Sequence, residues 1–275
     1  MSGETHTPRA LSIAGSDSGG GAGIQADLKA FARCGVHGTC AVTAITAQNT
    51  VGVIAIHSVP PDVVLAQIRA VVSDIGVDAV KIGMLGTREV TLAVAQALGE
   101  LPPGTPIVLD PVMVSESGAQ LLDTDARRAL VEQIIPLASV LTPNLPEALC
   151  LTGRDTETDR AGQGSDDDLV HALRALGPDI VVLTGGHREH AVDLFLDGGG
   201  EIIQIDGDRH PDGAAHGSGC THSSVMAAQL ALGHSPLQSA RVARALAAQA
   251  VAQGLRDVGE GPGPVDIFGL SRARE

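Results

Sequence analysis

Short apolar runs alternate with longer amphipathic stretches along most of the chain. Ala10–Ala14, Ala79–Ile82 and Ile180–Leu183 have the length of buried strands, whereas Gly23–Arg33 and Pro61–Asp74 place apolar residues three or four positions apart, as helices do. Strands that alternate with helices at this spacing pair in parallel through right-handed crossovers. The pattern therefore predicts an α/β fold in which a mostly parallel central sheet carries helices on both faces.

The same pattern gives no sign of a second domain. No linker rich in Pro, Gly or Ser divides the chain, so we expect one domain over residues 1–275, with residues 1–9 disordered. The loop 153–164 is polar and short. Two late strand patterns, Ala191–Leu196 and Glu201–Ile205, flank Asp197-Gly-Gly-Gly200 and predict a hairpin.

Composition excludes several functional classes. The chain has 32 acidic and 18 basic residues, and its aromatic residues are three Phe without Trp or Tyr, which argues against a nucleic-acid partner. The two lysines, Lys29 and Lys81, do not lie in a Gly-Lys-Ser/Thr sequence, so a Walker-type nucleotide site is ruled out. A protein-kinase fold, which needs a glycine loop followed by a strand lysine, is disfavoured on the same ground.

Cellular location follows from the cysteines and from hydropathy. Four scattered cysteines without a C-x-x-C spacing are typical of a reducing cytoplasm. The segment Met1–Arg9 has no apolar region of the kind that a signal peptide needs. No apolar run approaches the roughly 18–20 residues of a membrane span. We therefore expect a cytoplasmic protein with no membrane association.

The first candidate site is the glycine-rich loop Gly15–Gly23 between the first strand and the first helix. Glycines let the backbone approach a ligand, and a helix N-terminus offers amides to an anion. Gly21-Ala-Gly-Ile-Gln-Ala26 also fits a loose dinucleotide pattern, but Val36–His57 contains no acid for a ribose. A dehydrogenase is therefore disfavoured, and a flexible turn is the alternative interpretation.

Polar residues follow the next strands. Gln48 and Asn49 offer the donors and acceptors with which a heterocycle can pair, although a turn stabilised by Asn and Thr is equally compatible. Lys81 follows an apolar run, so it must pair with an acid or lie at the rim. Asp27 lies early in the first helix, where an acid also complements the helix dipole, and Met84 fits the core as well as a ligand contact.

Oxygen ligands follow two adjacent strands. Asp110 ends one strand, and Asn144 and Glu147 follow another, which suits Mg²⁺ because this ion takes few protein ligands and keeps its waters. Asn144 is equally well placed to cap a helix. Thr184-Gly185-Gly186 leaves a further strand in a turn where the backbone can approach a ligand closely.

The strongest signal is Ala215–Thr221 at the start of a long alanine-rich helix. The small residues Gly217, Ser218 and Gly219 leave a row of amides free, and the helix dipole adds positive potential, as in an anion hole for a phosphoryl group. Cys220 lies at this N-terminus, where the pKa of a thiol falls, and it is a candidate base for a substrate hydroxyl. A small buried cysteine is the alternative.

Together these motifs resemble the hydroxymethylpyrimidine/phosphomethylpyrimidine kinases of thiamine biosynthesis, in the ribokinase-like superfamily. The resemblance covers Leu11–Val265. Its motifs, each weak alone and specific in this order, are Ile13–Lys29, Thr46–Thr50, Lys81–Leu85, Val108–Met113, Leu141–Ala148, Gly185–His187 and His216–Thr221.

The resemblance implies a function and a set of roles. It implies phosphorylation of a hydroxymethylpyrimidine by ATP, a second phosphorylation to the pyrophosphate, and a homodimer. It places the pyrimidine near Gly15, Asp27, Gln48 and Met84, ATP at Thr184, Gly185 and Gly186, and Mg²⁺ at Asp110, Asn144 and Glu147. It makes Cys220 the base, beside the amides of Gly217, Ser218 and Gly219.

Two departures from the family pattern leave alternatives open. Thr184 stands where the family usually has lysine, and Ala214-Ala215 stand where it usually has Asn-Thr. Contacts to the nucleotide phosphates are then rearranged. A pyridoxine kinase on the same fold and a catalytically silent ligand-binding protein remain the alternative functions.

Overall fold

The fold is built on one central sheet, seen in a computed structural model that describes residues 6–115, 118, 121–154, 165–185, 191–211 and 213–271. In these residues the sheet has nine strands, in the order β3-β2-β1-β4-β5-β6-β7-β8-β9. They are β1 (Arg9–Asp17), β2 (His37–Gln48), β3 (Val53–Ser58), β4 (Ala79–Ile82), β5 (Ile107–Leu109), β6 (Val140–Leu141), β7 (Ile180–Leu183), β8 (Asp193–Leu196) and β9 (Ile202–Ile205).

The predicted mostly parallel sheet is confirmed. Strands β2, β1, β4, β5, β6 and β7 pair in parallel, whereas β3 at one end and β8 and β9 at the other pair antiparallel. The predicted hairpin is β8–β9. The chain runs outward from β1 to β2 and then returns to the other side of β1 at β4. The order therefore reverses between β1 and β4, which is where ligands bind in sheets of this kind.

Eight α-helices cover the sheet in the described residues. They are α1 (Gly23–Arg33), α2 (Pro61–Ala70), α3 (Arg88–Leu98), α4 (Thr124–Ala129), α5 (Leu145–Thr152), α6 (Asp166–Arg174), α7 (Ser218–Ala231) and α8 (Pro236–Ala252). Helix α2 continues in a π-helical turn, Val71–Ile75, and α4 continues through Leu130–Ile134. Side-chain oxygens of Thr87, Asp123, Ser165 and Ser235 cap α3, α4, α6 and α8.

The two faces of the sheet carry separate apolar cores. One core contains Val64, Val94 and Leu169, so α2 to α6 cover that face. The other contains Phe31 from α1 and Val225 from α7, together with alanines of α8. Burial on both faces explains why the inner strands read as continuous apolar runs rather than as alternating ones.

The element boundaries differ from the sequence pattern mainly at strand ends. β1 and β2 extend to Asp17 and Gln48, past their apolar runs, because Thr46 Oγ1 donates to the Ser16 carbonyl at 2.8 Å and joins the two ends. Residues 6–9 belong to the described part of the chain, where His6 and Arg9 bind Asp78. Residues 1–5 and residues 155–164 of the polar loop lie outside the described residues. None of the helices in the described part combines the length and hydrophobicity that a bilayer crossing requires.

A buried ion pair joins the two sides of the reversal point. Lys81 on β4 is fully buried, and its Nζ lies 2.9 Å from Asp27 Oδ1 on α1 and 3.8 Å from Asp110 Oδ2 after β5. Ser12 and Ser224 donate to Asp27 at 2.6 and 2.7 Å. Burial lowers the pKa of Lys81, but the nearby carboxylates outweigh it and hold the pKa above its usual value. The ammonium therefore stays charged.

We expect the free energy of unfolding to fall more when one partner of this pair is replaced than when both are. Asp27→Asn leaves the Lys81 ammonium with one distant carboxylate, so the free energy of unfolding should fall by about 3–5 kcal/mol. Adding Lys81→Met should recover part of that loss, since it removes the uncompensated ammonium, but not all of it, since Asp110 then lacks its nearby cation. Urea denaturation of the single and double variants measures both values.

The exposed pair Arg69–Glu100 provides the control, and Glu100→Gln should unfold like the unaltered protein. Strictly additive losses in the double variant would mean that Lys81 and Asp27 are not coupled.

Candidate active site

A cleft of about 430 Å³ opens at the carboxyl ends of the parallel strands, beside the reversal between β1 and β4. Its volume is in the range of small-molecule sites. It brings together most of the residues that the sequence suggested: Gly15, Gln48, Met84, Asp110, Asn144, Glu147, Thr184, Gly217, Ser218, Gly219 and Cys220. The carboxyl ends of parallel strands share one edge, which is why motifs so far apart in the sequence meet here.

One end of the cleft is suited to a flat heterocycle. Gly15 lies under the Met84 side chain, and a Cβ at this position would come within 2.5 Å of Met84 Cε. Thr43 Oγ1 donates to the Met84 carbonyl at 2.7 Å and fixes that loop. Gln48 lines the cleft, and its Oε1 lies 3.3 Å from Thr46 Oγ1. The side-chain carboxamide of Gln48 is therefore placed to pair with a ligand.

Asp27 is the exception among the predicted substrate residues. Its carboxylate is completely buried and binds Ser12, Lys81 and Ser224 beneath the cleft. The expectation of a direct substrate contact is therefore not met. Asp27 acts instead on Lys81, which does line the cleft.

The glycine-rich loop is organised by Asp17, which the sequence analysis did not single out. Its carboxylate accepts hydrogen bonds from the amides of Gly19, Gly21 and Ala22 at 2.8, 3.0 and 2.8 Å. His216 Nε2 lies 3.0 Å from the same carboxylate. Burial raises the pKa of Asp17, but His216 and the amides of Ala22 and Gly19 outweigh it, so the pKa lies below its usual value.

The glycine-rich loop packs directly on the turn that precedes α7. Gly217 has left-handed backbone with φ 84°, and a Cβ there would lie 1.8 Å from the Gly21 carbonyl oxygen. Only glycine fits both the conformation and the space. On its other side the turn is held by the C-terminal segment, since the His216 amide donates to the Gly263 carbonyl at 3.3 Å and the Val265 amide donates to the His216 carbonyl at 3.1 Å.

The start of α7 has the geometry of an anion site. Gly217 occupies the N-cap position, and no side chain among the described residues caps this helix. Gly217 to Cys220 all border the cleft. Amides that have no cap at a helix start are donors for an anionic ligand, and the helix dipole adds to their effect.

Cys220 lies in this turn, but its pKa moves in the opposite direction from the expectation. Burial raises the pKa of the thiol to about 12, and the charges of Asp110 and Asp27 add to the rise. Lys81 and a hydrogen bond from the Gly23 amide lower it without compensating. The prediction of a thiol with a lowered pKa is therefore wrong for the free protein. The effect of the helix start on the Cys220 pKa is outweighed here by burial, to which two carboxylates on other elements add.

The three predicted metal ligands are close together but have different roles. Asn144 Oδ1 accepts from the Glu147 amide, and Glu147 Oε2 accepts from the Asn144 amide, both at 2.9 Å, so the two form a capping box for α5. The alternative interpretation of Asn144 as a cap is correct. Burial raises the pKa of Glu147 to about 8, and the Asp110 charge adds to the rise.

Asp110 and Glu147 together have the donor chemistry of a magnesium site. They are two buried carboxylates at the cleft edge whose charges repel, and Mg²⁺ commonly takes one or two carboxylates together with substrate phosphates and water. The described residues contain no cluster of three His, Cys, Asp or Glu that could enclose a metal ion. Ser223 Oγ orients Asp110 by donating to its Oδ2 at 2.9 Å.

The far end of the cleft is formed by the turn after β7. Thr184 lines the cleft, and the Gly185 amide donates to Asp193 Oδ1 at 2.8 Å. Gly186, the third residue predicted to bind nucleotide, lies outside the described residues. His222 and Arg244 also line this end beside Asp193, and no motif in the sequence pointed to them.

Comparison with known proteins finds close similarity to kinases of one family. The family model described as phosphomethylpyrimidine kinase matches residues 17–266. A Rhizobium meliloti hydroxymethylpyrimidine/phosphomethylpyrimidine kinase is 46% identical over 265 residues, which are 95% of this chain and 97% of the relative.

Solved structures agree with this assignment of the fold. A phosphomethylpyrimidine kinase from Clostridium difficile 630 is similar with a TM-score of 0.73 and 38% identity, over 86% of this chain and 96% of that one. A Staphylococcus aureus pyridoxal kinase, in complex with AMP-PCP and pyridoxal, is similar with a TM-score of 0.83 and 31% identity, over 97% and 96%. The predicted ribokinase-like fold is confirmed.

Asp17 gives the site a pH-dependent anchor. Because its pKa is lower in the folded than in the unfolded chain, its contribution is present above about pH 4, the unfolded value, and is lost as the pH falls through the folded pKa. Asp17→Asn should lower the free energy of unfolding at pH 7 by about 1.5–3 kcal/mol, the value of hydrogen bonds to a charged group. Below about pH 4 the difference from the unaltered protein should shrink.

Urea denaturation of both proteins between pH 7 and pH 3 checks this expectation. Asp206→Asn, at an exposed carboxylate, is the control and should show little difference at any pH. A constant difference for Asp17→Asn across the range would mean that the loss comes from the introduced amide group and not from the removed charge.

Proposed function

This chain belongs to the phosphomethylpyrimidine kinase family, and on that premise we propose that its cleft transfers phosphoryl groups from ATP to 4-amino-5-hydroxymethyl-2-methylpyrimidine and to its monophosphate. The observation that carries the proposal is the position of Cys220. It lies in the uncapped first turn of α7, in the same cleft as the heterocycle end at Gly15 and Met84 and the carboxylates Asp110 and Glu147.

The turn Gly217–Cys220 supplies charge stabilisation. A phosphoryl group in transfer carries negative charge on its peripheral oxygens, and catalysis of this reaction is mostly positioning and electrostatics. Amides fixed before the reaction stabilise such charge without having to reorganise. Gly21 and the Asp17–His216 contact hold the turn in place, which makes the amides rigid.

Cys220 is proposed to accept the proton of the substrate hydroxymethyl group as a thiolate, after its own proton has passed to water in the cleft. Its thiol is only partly exposed to the cleft, and its raised pKa makes it a strong base once deprotonated. One of the charges that raise this pKa belongs to Asp110, so a cation at that carboxylate lowers it. Lys81 acts in the same direction from beneath.

Asp110 and Glu147 are proposed to hold Mg²⁺, directly or through water, with Asn144 serving as the helix cap. When bound, the ion neutralises charge on the phosphates of ATP. Thr184 borders the proposed nucleotide end, and the Gly185 amide beside it donates to Asp193. Gly15, Met84 and Gln48 orient the pyrimidine, and Gln48 pairs with its polar edge.

A pyridoxal kinase is the second candidate function, because the Staphylococcus aureus pyridoxal kinase shares nearly the whole fold. The higher identity to pyrimidine kinases favours the pyrimidine. The family membership as kinases argues against a silent ligand-binding protein. The homodimer, the cytoplasmic location and the absence of a nucleic-acid partner stay predictions.

The function is tested by measuring product formation from ATP with three acceptors in parallel: the hydroxymethylpyrimidine, its monophosphate and pyridoxal. We expect both pyrimidines to be phosphorylated, with kcat/KM at least about tenfold above that for pyridoxal, because an ill-fitting heterocycle leaves polar groups of the site unpaired. In Cys220→Ala, kcat should fall by roughly 10²–10⁴ while the KM for the pyrimidine changes little.

A variant with Cys34, Cys40 and Cys150 all replaced by alanine is the control and should keep its turnover. Faster turnover on pyridoxal would reverse the assignment of substrate. Full activity of Cys220→Ala would assign the base elsewhere.

The carboxylate pair gives a separate prediction about Mg²⁺. Glu147→Gln keeps an acceptor for the capping box but can no longer ionise to hold a cation. The Mg²⁺ concentration for half-maximal activity should rise by about 10–100-fold, the range seen when a supporting group at a metal site is lost. The melting temperature should change little.

Asp168→Asn alters the same position of the other capping box, at α6, and is the matched control. If the Mg²⁺ titrations of Glu147→Gln and the unaltered enzyme coincide, Glu147 is a helix cap alone.

A further inference from the structure

Three buried charged or polar side chains meet at the far end of the cleft, and we call them the Asp193 cluster: Asp193, His222 and Arg244. Asp193 Oδ2 lies 3.2 Å from His222 Nε2, and Asp193 Oδ1 lies 3.8 Å from Arg244 Nε. All three residues are at least nine-tenths buried. Asp193 is held ionised, because His222 and Arg244 outweigh the effect of burial and keep its pKa below the usual value.

The cluster is incompletely paired. Within the described residues, Arg244 Nε, Asp193 Oδ2 and both ring nitrogens of His222 make no aligned hydrogen bond, although Asp193 and His222 are close. Buried polar groups nearly always have a partner in folded proteins, and an unpaired donor is costly. Arg244 and His222 line the cleft, so a ligand bound there lies beside the cluster.

The position of Arg244 is fixed from three sides. One guanidinium nitrogen donates to the Ala191 carbonyl at 2.5 Å. A Cβ on Gly207 would come within 2.4 Å of Arg244 Nε, so the guanidinium lies directly on that backbone. Asp193 Oδ1 also accepts from the Gly185 amide at 2.8 Å. Arg244 is thus separated from the turn Thr184–Gly185 by a single carboxylate oxygen.

The helix face around Arg244 fits the rest of a nucleotide. Arg244, Ala247, Ala248 and Val251 follow one another at helical spacing on α8, and all four line the cleft. Small side chains leave room for a flat base, whereas the guanidinium provides donors arranged for phosphate oxygens.

Few other basic side chains are suited to the phosphates. In the described lining, lysine and arginine occur at Lys81, Arg209 and Arg244. Lys81 is already paired with Asp27 and Asp110, and Arg209 is exposed. Thr184, at the turn itself, is uncharged. Arg244 is therefore the buried, preorganised cation at this end.

We propose that Arg244 binds phosphate oxygens of the nucleotide and supplies the positive charge that residue 184 lacks in this chain. Asp193 and His222 orient the guanidinium, and the Gly185 amide ties it to the turn after β7. The proposal deepens the proposed function and rests on it for the identity of the nucleotide, but its test is a binding measurement that needs no pyrimidine.

Calorimetric titration with Mg²⁺–ADP and with adenosine separates contacts to phosphate from contacts to the base. In Arg244→Gln the Kd for Mg²⁺–ADP should rise about 10–100-fold, as expected for a lost charge-assisted hydrogen bond, while the Kd for adenosine stays unchanged. Adding Thr184→Lys should restore part of the ADP affinity by placing a cation on the other side of the same turn. Arg241→Gln, at an exposed arginine of α8, is the matched control and should bind like the unaltered protein.

Several outcomes overturn the proposal. These are an unchanged Kd for ADP in Arg244→Gln, an equal loss of adenosine binding, or a loss of ADP affinity in Arg209→Gln but not in Arg244→Gln. Should Arg244→Gln fail to fold, Arg244→Lys keeps the charge but loses the planar fork, so it should bind ADP several-fold more weakly with adenosine unaffected. Equal ADP affinity in that variant also rejects the proposal. Because these are binding data, they stand whether or not the pyrimidine is phosphorylated.

Discussion

The buried ammonium of Lys81 is the contact on which the rest of the cleft depends. It extends from the strand at the reversal of the sheet, binds Asp27 on the first helix and faces Asp110 at the end of the next strand. Its field also reaches Cys220. A buried charge is tolerated only when it is paired and when its partner is itself hydrogen-bonded. Ser12 and Ser224 provide those hydrogen bonds to Asp27. Lys81 thus connects β4, α1 and the end of β5, and it also lowers the pKa of Cys220, the proposed base.

Much of the site could be predicted because it follows the ends of parallel strands. Gly15, Met84, Asp110 and Thr184 each stand at or just after the end of an apolar run, and the topology alone brings such positions to one edge. The start of α7 could be predicted equally well, because a cluster of small residues before a long helix is typical of an anion site. These signals can be recognised in short stretches of sequence, and the fold brings the residues together in one cleft.

What the sequence could not provide are interactions between distant segments. Asp17 and His216 are 199 positions apart, and nothing in the local sequence of either one predicts that their side chains meet. The pKa of Cys220 was predicted from its own helix, whereas its burial, together with carboxylates on other elements, raises it. Asp27 is similar, since an acid in the first turns of a helix normally faces solvent. Arg244 lies in an alanine-rich helix, where the pattern does not indicate which arginine points inward.

The contacts of His216 have a consequence for how the protein acquires activity during synthesis. The turn that stabilises phosphoryl charge is held on one side by a loop near residue 17 and on the other by backbone pairing with residues 263–265. Residues 263–265 must leave the ribosome before both supports exist. A nascent chain that already contains every described residue bordering the cleft, up to Val251, still lacks residues 263–265, which pair with His216. Translation products that end before residue 263 therefore lack one of the two supports of the anion turn.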